Sequence, residues 1–235
     1  MFIPLKDDNQ LRLIPFQVVT VSIIAACIGV FFWQLSLSGQ AADHVFISYG
    51  TIPSVLFESQ ELPAEYAVLP AYLTLVTSMF LHAGWLHIGG NMLYLWVFGD
   101  NVEDSMGHFR FIVFYLLCGI AAALAHGIAN ANSLEPMVGA SGAISGVLGA
   151  YLVMHPRVRV LVLAFHWLPL RLPAFIVLGG WIVLQLFNLY VEGPASPDGE
   201  GGVAWWAHVG GFVAGIILVQ LLRRRDIPLI GDDPQ

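Results

Sequence analysis

The sequence predicts an all-α membrane protein: a bundle of six transmembrane helices with a long outer loop between helices 1 and 2. Three observations lead there. Of 235 residues, 57% are hydrophobic and only 11% charged, against about 25% charged in a typical soluble domain. With a mean hydropathy of +0.76, polar side chains are too few to cover a water-soluble fold of this size. Six apolar stretches approach the roughly 20 residues that a helix needs to cross a hydrocarbon core about 30 Å thick. Finally, all nine Lys and Arg residues fall on one side of the resulting layout. Disorder and a free-standing soluble enzyme are excluded. Nucleic-acid binding has no support, because the basic residues form no stripe with interleaved aromatics.

Phe16–Leu37 is the first span. It follows Lys6 and Arg12, and it lies too late and runs too long for a signal-peptide core, so it reads as uncleaved. The others are about Gly84–Gly99, Phe109–Ala129, Ser141–His155, Leu172–Tyr190 and Val203–Leu222. The fourth is short, which predicts a start below the membrane surface. Val160–Leu168 is apolar but bounded by Arg159 and Pro169. It reads as an interfacial connector, and a seventh span there would spoil the layout. The loop between spans one and two carries Phe46, Tyr49, Phe57, Tyr66 and Tyr72 with few charges, and belongs on or in the outer interface. Cys27 and Cys118 sit in apolar runs and read as small core residues. Residues 1–235 form one domain with short tails of about 1–15 and 223–235.

The basic residues fix the orientation. Lys6 and Arg12 precede span one, Arg110 adjoins the loop between spans two and three, and Arg157, Arg159 and Arg171 lie between spans four and five. Arg223, Arg224 and Arg225 follow span six and belong at anionic headgroups. The opposite loops contain none. By the positive-inside rule both termini are cytoplasmic.

Ionisable groups inside spans are rare and face cavities or functional paths. Here they concentrate in three places. His82, His87 and Asn91 lie in "FLHAGWLHIGGNMLYLWVFGDNVED"; His87 and Asn91 are four apart and share a helix face. Ser141 opens the short fourth span in "GASGAISGVLGAY", and His208 lies near the outer end of span six in "AHVGGFVAG". Gly142, Gly146 and Gly149 leave one side of span four bare, while Ala204, His208, Gly211 and Gly215 share a face of span six. Small faces let helix backbones approach closely in lipid, which brings Ser141 toward His208. A neutral imidazole is the usual base for a serine nucleophile. The free N–H groups of a helix start also suit a developing oxyanion. His44, His108, His126, His155 and His166 lie near span ends or in loops and read as solvated.

"HAGWLHIGGN" at His82–Asn91, "GASG" at Gly139–Gly142 and "AHVGGFVAG" at Ala207–Gly215 resemble the three signatures of rhomboid intramembrane serine proteases. The resemblance covers all six spans. "FGDNVED" resembles the prokaryotic branch, in which the residue matching Glu103 ties the cytoplasmic end of the bundle. The resemblance implies that Ser141 is the nucleophile and His208 the base, then acid, in a dyad without a carboxylate. It implies that His87, Asn91 and the Ser141 backbone N–H stabilise the oxyanion, while His82 lines or orders the polar pocket. Trp181 and Phe187 of span five would form one wall of a lateral access path. The implied substrate is a single-pass membrane protein, cut in or beside its transmembrane segment after a small residue. No metal or cofactor is implied. The implied location is the cell (inner) membrane, with the site opening toward the outer face. One position departs from the pattern: many relatives place a tyrosine on the base histidine four residues after the nucleophile, where this chain has Ser145. Support for the His208 ring must then come from elsewhere, or its orientation is looser.

Two other classes stay open at this stage. A small transporter would account for intramembrane histidines and a short, glycine-bounded helix, but no inverted repeat or acidic residue within a span supports it. A catalytically silent protein that binds membrane helices is the other. Zinc-type and aspartyl-type intramembrane proteases fit poorly, because HExxH is absent and Asp100 stands alone at a span end.

Overall fold

The structure is a computed structural model and describes residues 2–165, 167–192 and 203–229. The long helices are α1 (Val18–Ser36), α5 (Trp85–Met106), α6 (His108–Ala129), α7 (Ser141–Met154), α8 (Ala174–Glu192) and α9 (Trp205–Leu222). Among the described residues, α1, α6, α8 and α9 are long and apolar enough to cross a membrane, and the chain is a multi-pass membrane protein. The 14 residues of α7 are fewer than a full span. The last two turns of α5 hold Asp100, Glu103 and Asp104.

Those acids explain why α5 runs to Met106 and not to the expected Gly99. Glu103 and Asp104 are satisfied by the chain's beginning, and Asp100 by the main-chain and side-chain N–H groups of Asn101. Glu103 is fully buried and accepts the Val19 and Thr20 N–H groups at 2.9 and 2.8 Å, and the Thr20 hydroxyl at 2.7 Å. It thereby caps α1, whose own N-cap residue, Gln17, makes no side-chain bond. Its other neighbour is His108, at 2.5 Å, so His108 is paired and not simply solvated. Asp104 accepts the N–H groups of Arg12, Leu13 and Ile14 at 2.7–3.0 Å. The Arg224 N–H closes the same end by donating to the Ser105 carbonyl at 2.9 Å.

The first tail and the expected connector are structured together. β1 (Phe2–Asp7), β2 (Arg159–Ala164) and β3 (Leu168–Pro173) form an antiparallel sheet in the order β1-β2-β3. The connector expected there is the β2–β3 pair and, among the described residues, not a seventh span. The reason is the two-residue period of β2, in which Val160, Val162 and Ala164 are buried. Asp8 and Arg171 pair at 2.8 Å across the sheet. Asp7 is buried; its carboxylate accepts the Tyr151 hydroxyl at 2.5 Å and the Asn101 amide at 2.9 Å. Burial raises the Asp7 pKa to about 6, against the opposing hydrogen bond from Tyr151.

The outer loop folds into α2 (Gln40–Tyr49), α3 (Pro53–Leu56) and α4 (Thr74–Thr77). It is tied to the α6–α7 connection by a Thr51–Met137 bridge and by the Ser54 N–H donating to the Ser133 carbonyl at 3.0 Å. His44 belongs to this assembly through Glu65 and Ser48, His126 and Asn130 meet at the end of α6, and the His155 ring lies tilted 5.2 Å from that of Tyr151. His166 lies outside the described residues.

The centre of the bundle is a seam of glycines. A Cβ on Gly211 would lie 2.0 Å from the Gly142 carbonyl oxygen, and one on Gly215 2.0 Å from that of Gly146. A Cβ on Gly149 would meet the Phe212 oxygen at 2.4 Å. α7 and α9 therefore touch backbone to backbone, as the small-residue faces predict.

Two expectations follow. Gly215→Ala forces a methyl into backbone and should cost about 3 kcal/mol in detergent unfolding. Gly29→Ala on α1, with no neighbour within 4 Å of its Cβ, should change stability by about 1 kcal/mol or less, on the favourable side. Asp7 docks best when neutral, so β1 is held most firmly below the ordinary carboxylate range and loosens as pH rises through about 6. Amide exchange corrected for intrinsic rates should show β1 about tenfold less protected at pH 7 than at pH 5. Asp7→Asn should remove most of that difference.

Candidate active site

The seam brings two polar residues together. Ser141 is the first residue of α7, and His208 comes from the first turn of α9. His208 Nε2 lies 2.9 Å from Ser141 Oγ. The imidazole is nearly buried, at 9% exposure. It is flanked by two indoles, Trp181 of α8 at 5.8 Å between ring centroids and Trp205 of α9 at 5.9 Å. Ser145 instead donates its hydroxyl to the Ser141 carbonyl at 2.6 Å. The aromatic neighbours that position 145 does not offer are thus one tryptophan on α8 and one on His208's own helix.

The turn into α7 is specified by Gly139, whose φ of +122° disfavours any side chain. A Cβ there would also lie 2.6 Å from His87 Nε2 and 3.7 Å from Asn91 Nδ2. Glycine is needed both for the turn and for the approach of α5. The Gly139 N–H is satisfied by the Ser78 carbonyl at 2.8 Å.

His87 and Asn91 project from α5 toward this turn. The Ala83 N–H donates to His87 Nδ1 at 3.4 Å, which leaves the proton of a neutral ring on Nε2, the atom beside Gly139. Asn91 is 8% exposed, and its Nδ2 has no acceptor among the described residues. Buried donors without partners are uncommon, and this one lies at the turn that presents Ser141. His82 precedes α5. Its backbone N–H donates to Gln34 Oε1 at 3.1 Å, its Nδ1 donates to the Phe80 carbonyl at 3.2 Å, and its ring meets that of His87 at 5.2 Å. Phe187 is exposed on α8. Among the described residues no group of three or more His, Cys, Asp or Glu could hold a metal ion.

Two uncharged amides also belong to the site and do not show in the pattern of ionisable groups. Gln34 ties α1 to the His82 segment. Gln185 of α8 places Oε1 2.8 Å from His208 Nδ1. The available signal was a polar residue inside each of two apolar spans. Together the side chains provide a hydroxyl in contact with an imidazole, a helix N-terminus, and two further N–H donors at the same turn.

The chain belongs to the rhomboid family: the Rhomboid domain matches residues 70–225. It is 28% identical over 203 residues to Rhomboid-like protein 11, chloroplastic, of Arabidopsis thaliana, covering 82% of this chain and 65% of that one. It is 29% identical to Rhomboid protein 1, mitochondrial, of Saccharomyces cerevisiae over 62% of this chain and 40% of the relative. Against Rhomboid protease GluP of Bacillus subtilis the identity is 33%, over 57% of this chain and 24% of the relative. The matches span less than two thirds of each of these relatives.

Proposed function

We propose that this protein is an intramembrane serine endopeptidase that cleaves single-pass transmembrane proteins within or next to the membrane through a Ser141–His208 dyad. The observation that carries the reading is the 2.9 Å contact between Ser141 Oγ and His208 Nε2, beside an Asn91 amide with no acceptor among the described residues. Ser141 Oγ attacks the scissile carbonyl carbon while His208 Nε2 takes its proton. Negative charge on the carbonyl oxygen is met by Asn91 Nδ2, His87 Nε2 and the Ser141 backbone N–H. The imidazolium then gives its proton to the leaving amine, the C–N bond breaks, and an acyl-enzyme remains. Water, deprotonated by the same imidazole, hydrolyses the ester and restores Ser141.

The substrate is a membrane helix that unwinds readily and has a small residue before the scissile bond. Six crossings, cytoplasmic termini and a site opening toward the outer face of the cell (inner) membrane complete the reading. It is supported by the one-sided distribution of the basic residues. Trp181 and Phe187 belong to the helix that forms one wall of the access path.

A fluorophosphonate probe should label Ser141 in detergent-purified protein, with the adduct mapped by mass spectrometry. Ser141→Ala and His208→Ala should abolish it. Asn91→Ala should slow peptide cleavage by about 100- to 1,000-fold, the usual loss for one oxyanion donor. Folded wild type that gives no adduct would return the weight to a silent helix-binding protein.

A further inference from the structure

We infer that Gln185 is a positioning residue that sets the tautomer of His208, and that α8 thereby controls whether the dyad can react. The inference rests on the protease reading above. The Gln185 amide has two chemically distinct ends. Nε2 can only donate, and it does so to the Trp181 carbonyl one turn earlier, at 3.2 Å. That bond fixes which way the amide faces. Reversing it would set Oε1 against the Trp181 oxygen, two acceptors in contact.

With the amide so held, Oε1 meets His208 Nδ1 at 2.8 Å, and a carbonyl oxygen can only accept. Nδ1 must therefore carry the hydrogen. A neutral imidazole has one N–H, so Nε2 presents its lone pair to the Ser141 hydroxyl at 2.9 Å. This is the tautomer that can take the serine proton. The opposite one would present an N–H to Ser141 and leave no base. A buried acceptor on Nδ1 also stabilises the imidazolium formed during the reaction, with no carboxylate in the membrane.

Gln185 also marks where α8 is held. It is 4% exposed, and beyond Leu178 it is the one buried residue of α8 among the described residues. Only 22% of this span is buried, the smallest share of the four long apolar helices. Past Leu178 its ties to α9 run through Trp181, which touches His208 and Phe212, and through Gln185. When α8 swings away from α9, the Nδ1 bond breaks and the tautomer is no longer specified. Closure of α8 and readiness of the base are one event.

The test is to read the tautomer directly. Protein carrying 15N-labelled histidine, with the His208 signals assigned by their loss in His208→Ala, should show Nδ1 protonated and Nε2 bare. Gln185→Leu should give a mixture, and should slow fluorophosphonate labelling of Ser141 by about 10- to 100-fold, the factor one buried hydrogen bond is worth. Gln185→Glu should recover most of both, since a protonated carboxyl can donate to the Trp181 carbonyl and accept from Nδ1. Wild-type protein with the hydrogen on Nε2 overturns the inference, even if Gln185→Leu does not fold. So does Gln185→Leu with wild-type labelling and an unchanged tautomer. Absence of a Ser141 adduct in wild type instead sinks the protease reading, independently of the nitrogen signals.

Discussion

The backbone contact between α7 and α9 is the constraint on which the rest of the molecule depends. In lipid, helices gain little from burying apolar side chains against each other, so close packing and hydrogen bonding must hold them together. Gly142, Gly146 and Gly149 on one helix, with Gly211 and Gly215 on the other, bring main chains into direct contact. That separation fixes the distance between the first residue of α7 and the first turn of α9. A wider seam would part Ser141 from His208 whatever else was preserved. Ser145 stays within its own helix and bonds the Ser141 carbonyl.

A second group of interactions holds the other end of the bundle. Glu103 and Asp104 bind main-chain N–H groups of the first 20 residues, and Asp7 binds side chains of α5 and α7. Buried carboxylates are costly unless several donors meet them; here three or more groups surround Glu103. The two ends divide the labour. One is rigid through polar anchoring, and the other carries the reactive pair between helices of unequal attachment, with α8 the most exposed.

Much of this was legible in the residues. Glycine spacing foretold the seam, and the i,i+4 placement of His87 and Asn91 foretold a shared face aimed at the GASG turn. The rest was hidden for physical reasons. Short apolar runs such as RVLVLA suit a buried helix, a strand or a connector equally, and the pairing that decides comes from residues 2–7, far away in sequence. The acids at the end of α5 looked like a loop because their partners lie more than 80 positions upstream. Gln185 and Gln34 carry no charge; their importance lies in the direction of a dipole, which spacing does not reveal.

The sheet constrains the path of the chain in a way that does not depend on hydropathy or basic residues. An open three-stranded sheet cannot sit in hydrocarbon, where its edges would go unsatisfied, so its strands lie on one face of a bilayer. β1 precedes α1 and β2 follows α7, so the chain makes an even number of crossings between Asp7 and Arg159. The Arg224 N–H on the Ser105 carbonyl returns the chain after α9 to the end of α5, where Asp104 also holds residues 12–14. The number of crossings from α1 through α9 is therefore even as well. Inserting or deleting a single crossing would break these bonds and not merely invert a loop. The fold thus carries its own parity check, written in amide hydrogen bonds.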